Sequence, residues 1–186
     1  MKLWTDTQTA DRVLTQGAAT RIPPRVGKVL SVVEECAESS KLWGGAAVVM
    51  AGWGGWRGRK AAAAGLGALA AAQLISNGVC KQLADRPRPP AEWIPHDEVD
   101  DRPDSSSFPS GHTAAAVAFT AAVAPIWPAA GALCAVPTAM VALERVQSGA
   151  HYPSDVAVGA AIGLASAWLT RHAPGLLLRH WRQGLS

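Results

Sequence analysis

Apolar and polar positions along this chain come in long blocks, not in the two-residue rhythm of strands, and the blocks predict helices. The clearest, 61–80, holds Gln73, Ser76 and Asn77 as its only strongly polar members. It has about the twenty residues a bilayer core demands. The other apolar runs, 42–56, 112–124, 129–143 and 156–169, are shorter. About fifteen helical residues reach roughly 22 Å, against a hydrocarbon core of roughly 30 Å. By length alone these runs also fit the buried helices of a soluble bundle. Pro125-Ile126-Trp127-Pro128 turns the chain and makes 112–143 a helical hairpin. Ahead of the runs, Val26, Val29, Leu30, Val33 and Ala37 recur at helical spacing, with Glu34, Glu35 and Glu38 on the other side. Ile22-Pro23-Pro24 separates this amphipathic stretch from a short helical pattern flanked by Asp6, Asp11 and Arg12.

The pattern divides the chain into an amphipathic segment over 1–40, an apolar domain over 41–170 and a basic tail over 171–186. The tail carries Arg171, His172, Arg179, His180 and Arg182 beside Leu176-Leu177-Leu178 and Trp181, which reads as an interfacial helix. The expected fold is all-α: an integral membrane helical bundle of about five transmembrane helices with amphipathic terminal helices. Polar helix ends that extend into the headgroup layer favour the membrane over the soluble alternative, and so does the sorting of charge. Arg57-Gly58-Arg59-Lys60 and the tail fall on one side, which the positive-inside rule makes cytoplasmic. The amino terminus and the polar stretches described below then face the extracytoplasmic side of the plasma membrane.

Composition sharpens this only in part. Apolar residues make up 49% of the chain, yet mean hydropathy is only +0.11. Alanine and glycine depress that index without making a helix hydrophilic. Eight tryptophans point to interfacial belts. The net charge of +3 is spread in short clusters between apolar runs, and no zinc-finger, helix-turn-helix or aromatic-basic pattern supports nucleic acid as a partner. Cys36, Cys80 and Cys134 stand far apart and are expected as free, mostly buried thiols. The first forty residues lack an apolar core of signal-peptide length. The polar stretch from Lys81 to Gly111, with Asp85, Glu92, Asp97, Glu98, Asp100, Asp101 and Asp104, lacks metal-ligand spacing and reads as a solvated, negatively charged loop.

Chemistry concentrates in three polar stretches. The first closes the 61–80 run with Lys81 and continues through Arg86-Pro87-Arg88-Pro89. The second, Pro109-Ser110-Gly111-His112, opens the next run, so the backbone N–H groups of a helix start lie at Ser110 and Gly111, ready for an anion. The third is Glu144-Arg145 followed by His151-Tyr152-Pro153-Ser154-Asp155. A carboxylate one helical turn from an imidazole can take its N–H and leave the other ring nitrogen free to attack. Arg145 supplies a fork-shaped cation suited to phosphate oxygens. Taken singly, each cation is better explained as a surface or snorkelling cation at a helix end, and Ser110 is compatible with plain helix capping.

In order and internal spacing, these stretches resemble the three motifs of the type 2 phosphatidic acid phosphatase (PAP2) superfamily, over roughly residues 81–155. That superfamily includes small bacterial membrane lipid phosphatases, bacterial acid phosphatases and vanadium haloperoxidases. The resemblance implies His151 as nucleophile through a phosphohistidine and Asp155 as its orienting group. It implies His112 as the acid that protonates the leaving oxygen and then activates water. It implies a phosphate clamp of Lys81, Arg88, Ser110, Gly111 and Arg145, with no metal and no other cofactor. Arg86 is an additional cation that could neighbour the phosphate. His96, His172 and His180 have no such company. Glu144 stands where the third motif usually has serine, adding a carboxylate near the phosphate site. The implied substrates are lipid phosphates, with polyprenyl-linked ones first, among them decaprenyl-phosphoryl phosphoribose and undecaprenyl diphosphate. Phosphatidylglycerol phosphate and phosphatidic acid are the alternatives within this class. A soluble phosphatase or haloperoxidase of the same superfamily and a non-catalytic membrane scaffold are the rival classes, and an oligomer is compatible with any of them.

Overall fold

The computed structural model describes residues 2–95 and 105–183, and the acidic run 97–104 and the last three residues of the tail lie outside them. The described residues are helical, with no strand among them. The order is α1 (Lys2–Arg21), α2 (Pro24–Ala37), α3 (Lys41–Trp53), α4 (Gly55–Leu83), α5 (Gly111–Val123), α6 (Pro128–Gln147) and α7 (Pro153–Gln183). Short 3-10 turns stand at Glu38–Ser40 and Ala91–Trp93. Prolines open α2, α6 and α7, where a missing N–H costs no hydrogen bond and the fixed φ suits the first turn.

Helix α5 is the centre of the bundle, packed against α4, α6 and α7. Its alanines 114, 115, 116 and 118 are buried together with Phe119 and Val123. Small side chains on this helix let its neighbours approach closely, as in membrane helix pairs. On α7, a Cβ at Gly163 would meet the Ala114 carbonyl at 2.6 Å and one at Gly159 would meet the Ser110 carbonyl at 2.5 Å. Trp43 of α3 is buried against the same helix, tilted on Phe119 at 5.4 Å between ring centres.

Several boundaries differ from the sequence reading. Helix α3 ends at Trp53 instead of running to Trp56, because Gly54-Gly55 reverses the chain, with Gly55 at φ +54°. Trp56, Arg57, Arg59 and Lys60 therefore begin α4. Helix α6 reaches Gln147 and holds Glu144 and Arg145 on its last turns, which a polar break was expected to hold. The final apolar run and the basic tail form one 31-residue helix. Cys134 is buried and Cys80 half-buried, but Cys36 is exposed. Two of the described helices, Gly55–Leu83 and Pro128–Gln147, are long and apolar enough to cross a bilayer, and Gly111–Val123 is a shorter apolar helix. Val48, Leu74 and Leu133 turn outward, each at least 70% exposed, so apolar side chains cover the outside of the bundle as well as its inside.

The antiparallel packing gives the bundle two ends. The starts of α3, α5 and α7 meet the finishes of α4 and α6 at one end, where Gln73 bonds Ser40, Gly111 abuts Asn77 and the His151 N–H bonds the Arg145 carbonyl. Trp127, Gly54 and Arg57 meet at the other end. Helices α1 and α2 lie across the first end, and a Cβ at Gly27 of α2 would strike the Gln147 side chain.

Candidate active site

The last turns of α4 widen to i→i+5 bonding over Leu74–Cys80 before delivering Lys81, an irregularity that often re-aims a side chain at a functional position. Residues 84–93 then run back across the end of the bundle. Arg86 donates through Nη1 to Asp155 Oδ1 at 2.5 Å and to Ser154 Oγ at 2.8 Å, and through Nη2 to Asp11 Oδ2 at 2.8 Å. Its guanidinium also lies 4.2 Å from the centre of the Tyr152 ring. Desolvation lowers the pKa of Arg86, but Asp11 and Asp155 outweigh it and hold the group above its ordinary value. The expectation that Arg86 neighbours a phosphate is thereby replaced: its donors are committed to two buried carboxylates. Asp11, in the amino-terminal segment, is a member of the site region that sequence reading missed. It accepts from the Ser154 N–H and hydroxyl at 2.9 and 2.7 Å.

His151 sits in the turn between α6 and α7, 3% exposed. Its Nδ1 lies 2.5 Å from the Ser107 carbonyl oxygen and 3.9 Å from Asp155 Oδ2. A carbonyl only accepts, so Nδ1 carries the proton and Nε2 keeps its lone pair. Ser107, not Asp155, is the hydrogen-bond partner that sets the tautomer. Asp155 is fully buried and instead ties Arg86, the Tyr152 N–H at 2.9 Å and, through its own carbonyl, the Ser110 N–H at 3.1 Å. Burial and then the Arg88 charge press His151 well below its ordinary pKa of 6.5, and only the Ser107 bond works the other way.

Arg88 donates to the Ala150 carbonyl at 2.6 Å, and both Arg88 and Lys81 reach Ser105 Oγ, at 3.4 and 3.5 Å. Ser110 is buried at the start of α5, its hydroxyl 2.9 Å from that of Thr113. Gly111 follows, and a Cβ there would meet Asn77 Oδ1 at 2.5 Å. His112 projects from the same turn with its side chain 39% exposed. Lys81, Arg88 and Arg145 all act electrostatically on both His112 and His151, so the three stretches do converge on one region. A cavity of about 220 Å³ opens beside Lys81 and His112, lined also by Asn77, Gln73 and Trp43.

Arg145 is held by two carboxylates. Its Nε donates to Glu144 Oε2 at 2.6 Å and its Nη2 to Glu34 Oε1 at 2.9 Å. Glu144, expected near the site, is 4% exposed and aimed at its own neighbour. Glu34 is a second residue missed from sequence. The same Glu34 oxygen lies 3.7 Å from His112 Nε2. Burial, the largest cause, raises Glu34 above its ordinary pKa of 4.5; Arg145 opposes this and Glu144 adds to it.

Two histidines, three cations and a helix start thus gather at one end of the helical bundle. Over 101 residues the chain is 41% identical to the decaprenylphosphoryl-5-phosphoribose phosphatase of Mycobacterium tuberculosis, covering 54% of this chain and 53% of that one. Over 67 residues it is 45% identical to a lipid A 1-phosphatase of Rhizobium johnstonii, covering 34% of this chain and 25% of that one. The chain therefore spans about half, or less, of the length of these relatives. Its fold is similar to that of the transmembrane PAP2 type phosphatidylglycerolphosphate phosphatase of Bacillus subtilis, at a TM-score of 0.68 and 22% identity, over 90% of this chain and 86% of that one. The family model that matches residues 62–178, well over half the chain and all three polar stretches, is that of the PAP2 superfamily, and the chain belongs to it.

Proposed function

We propose that this protein is a membrane phosphatase that removes phosphate from a lipid through a phosphohistidine at His151. The observation that carries the reading is the Nδ1–H bond to Ser107, which leaves Nε2 unprotonated in a buried setting surrounded by cations. In the first step Nε2 attacks phosphorus, a P–N bond forms, and the P–O bond to the lipid breaks. His112 gives its proton to the departing oxygen. In the second step water attacks the phosphohistidine, His112 takes the proton from that water, the P–N bond breaks and inorganic phosphate leaves. Lys81, Arg88 and Arg145 neutralise the three equatorial oxygens, and the Gly111 N–H supplies the helix-start contribution, the Ser110 N–H being held by the Asp155 carbonyl. Asp155 acts at one remove: it anchors Arg86, the Tyr152 N–H and the Ser110 N–H, and so keeps the His151 turn and the start of α5 in register.

A site at the ends of apolar helices suits a lipid whose phosphate lies at headgroup level while its tail stays in the bilayer. The similarity to a decaprenylphosphoryl-5-phosphoribose phosphatase supports a polyprenyl-linked phosphate as substrate, with the site on the extracytoplasmic side as the positive-inside rule directs. The deciding experiment uses the detergent-purified chain and a panel of polyprenyl and glycerolipid phosphates, scoring inorganic phosphate beside His151→Ala. Release by the unaltered chain alone, greatest on polyprenyl substrates, is expected. Equal release by both proteins would remove His151 from the mechanism, and preference for a glycerolipid would replace the substrate.

A further inference from the structure

The end of the bundle opposite the histidines carries a groove that the chemistry above does not use. It lies between α4, α5 and α7 and encloses about 820 Å³, within the roughly 300–1,000 Å³ of ligand sites. Its floor is apolar, built from Ala64, Ala122, Leu164 and Ala167. Arg57, Lys60, Arg171 and His172 border it, and no carboxylate is among its lining. Arg57 spends its Nε on the Ile126 carbonyl at 2.7 Å and keeps its terminal amines. Lys60 and Arg171 have no ion pair among the described residues. His172 stacks on Trp168 at 4.6 Å and donates Nδ1–H to the Trp168 carbonyl at 2.8 Å.

Snorkelling explains a single cation at a helix end. It does not explain three, Arg57, Lys60 and Arg171, brought from helices more than a hundred residues apart onto one cavity without a counter-charge. Their arrangement has the shape of an amphiphile: cations for an anionic head, small aliphatic side chains for a tail. Trp56 and Trp168 also line the groove, 80% and 55% exposed, and indole rings favour the boundary between headgroups and hydrocarbon.

We propose that this groove binds an anionic phospholipid of the leaflet opposite the active site. Its phosphate is held by Arg57, Lys60 and Arg171, and one acyl chain lies along Ala64, Ala122 and Leu164. Occupancy braces α4 and α7 against α5, the helix that carries His112 at its far end. This rests on the membrane placement proposed above and not on the hydrolytic reading.

The test uses the full chain in phosphatidylcholine nanodiscs with and without phosphatidylglycerol, following the unfolding midpoint and the hydrolysis of water-soluble p-nitrophenyl phosphate. Phosphatidylglycerol is expected to raise the midpoint by about 4 °C or more over phosphatidylcholine alone. The doubly neutralised Lys60→Gln, Arg171→Gln chain should lose that rise, and the charge-conserving Lys60→Arg, Arg171→Lys chain should keep it. Inorganic phosphate, which can also enter the site at the other end, should stabilise all these chains alike. Equal midpoints in the two lipids for the unaltered chain overturn the proposal, a measurement that needs no variant. So does a neutralised chain that keeps the full rise. A phosphate effect that vanishes with Lys60 and Arg171 would mean an anion site without a lipid. Absent hydrolysis in every chain, beside an intact lipid effect, would defeat the phosphatase reading and leave this one standing.

Discussion

Glu34 of α2 and Arg145 of α6 are ion-paired at 2.9 Å, and the carboxylate oxygen that makes the pair also faces His112 Nε2 at 3.7 Å. In the proposed mechanism a substrate phosphate needs Arg145, so Glu34 must yield to it. A charge-assisted hydrogen bond of this kind contributes about 1.5–3 kcal/mol. Glu34→Gln should therefore lower KM for the lipid phosphate by about tenfold or more, and tighten inhibition by inorganic phosphate in parallel. A KM that does not fall, with kcat reduced, would assign Glu34 to catalysis instead of competition. The raised pKa of Glu34 gives the same effect a pH dependence. As pH falls toward that pKa the carboxylate gains a proton, its hold on Arg145 weakens, and KM in the unaltered chain should fall, whereas the glutamine variant should show no such change.

The buried state of His151 sets a second pH signature. Its pKa lies well below 6.5, so the attacking nitrogen stays unprotonated on both sides of neutrality. Phosphoenzyme formation in a single turnover should stay level as pH falls through 6.5 and decline only well below it. The sign for stability follows from linkage: below 6.5 the unfolded chain binds a proton at this position that the folded chain refuses. Unfolding midpoints should fall as pH drops from about 6.5 toward the depressed value, and His151→Gln should flatten that part of the curve. A rate midpoint at 6.5 would show the histidine to be solvated.

Arg86 is predicted to matter for folding more than for phosphate. Arg86→Met leaves Asp11 and Asp155 buried without a counter-charge, a loss of about 3 kcal/mol. For a chain of this size that is roughly 6–12 °C in the unfolding midpoint. Adding Asp155→Asn and Asp11→Asn should recover a large part of it. Phosphate inhibition constants measured below the new midpoint should stay near those of the unaltered chain; a large weakening would return Arg86 to the phosphate clamp.

His112→Ala removes the proposed proton donor, so its effect should scale with the leaving group. Hydrolysis of an alkyl phosphate should fall by about 10²–10⁴-fold, and phosphorylation by p-nitrophenyl phosphate, whose leaving group needs no proton, should fall far less. Equal losses on both substrates would mean that His112 serves binding and not proton transfer.

In the proposed mechanism Lys81, Arg88 and Arg145 hold the phosphate without a metal. Phosphate release should persist after exhaustive EDTA treatment and dialysis. Loss of activity, restored by one divalent metal, would overturn this part of the mechanism.

The residues that gather at the His151 end of the bundle were legible because each lies in a short local stretch whose spacing survives without any knowledge of the fold. His112 follows Gly111 at a helix start, and His151 precedes Asp155 by one turn. The helical class was legible for the same reason: apolar periodicity acts over a few residues. The tertiary structure decided where the partners come from. Asp11 reaches Ser154 across 143 positions of sequence. The Ser107 carbonyl meets His151 across 44 positions, and a backbone oxygen leaves no mark in the residue pattern. Glu34 read as the polar face of an amphipathic helix, and only the packing of α2 on α6 turned that face inward onto Arg145. Local spacing specifies which groups can react; long-range packing decides which charges they meet, because Coulomb and hydrogen-bond energies depend on distance in space and not on distance along the chain.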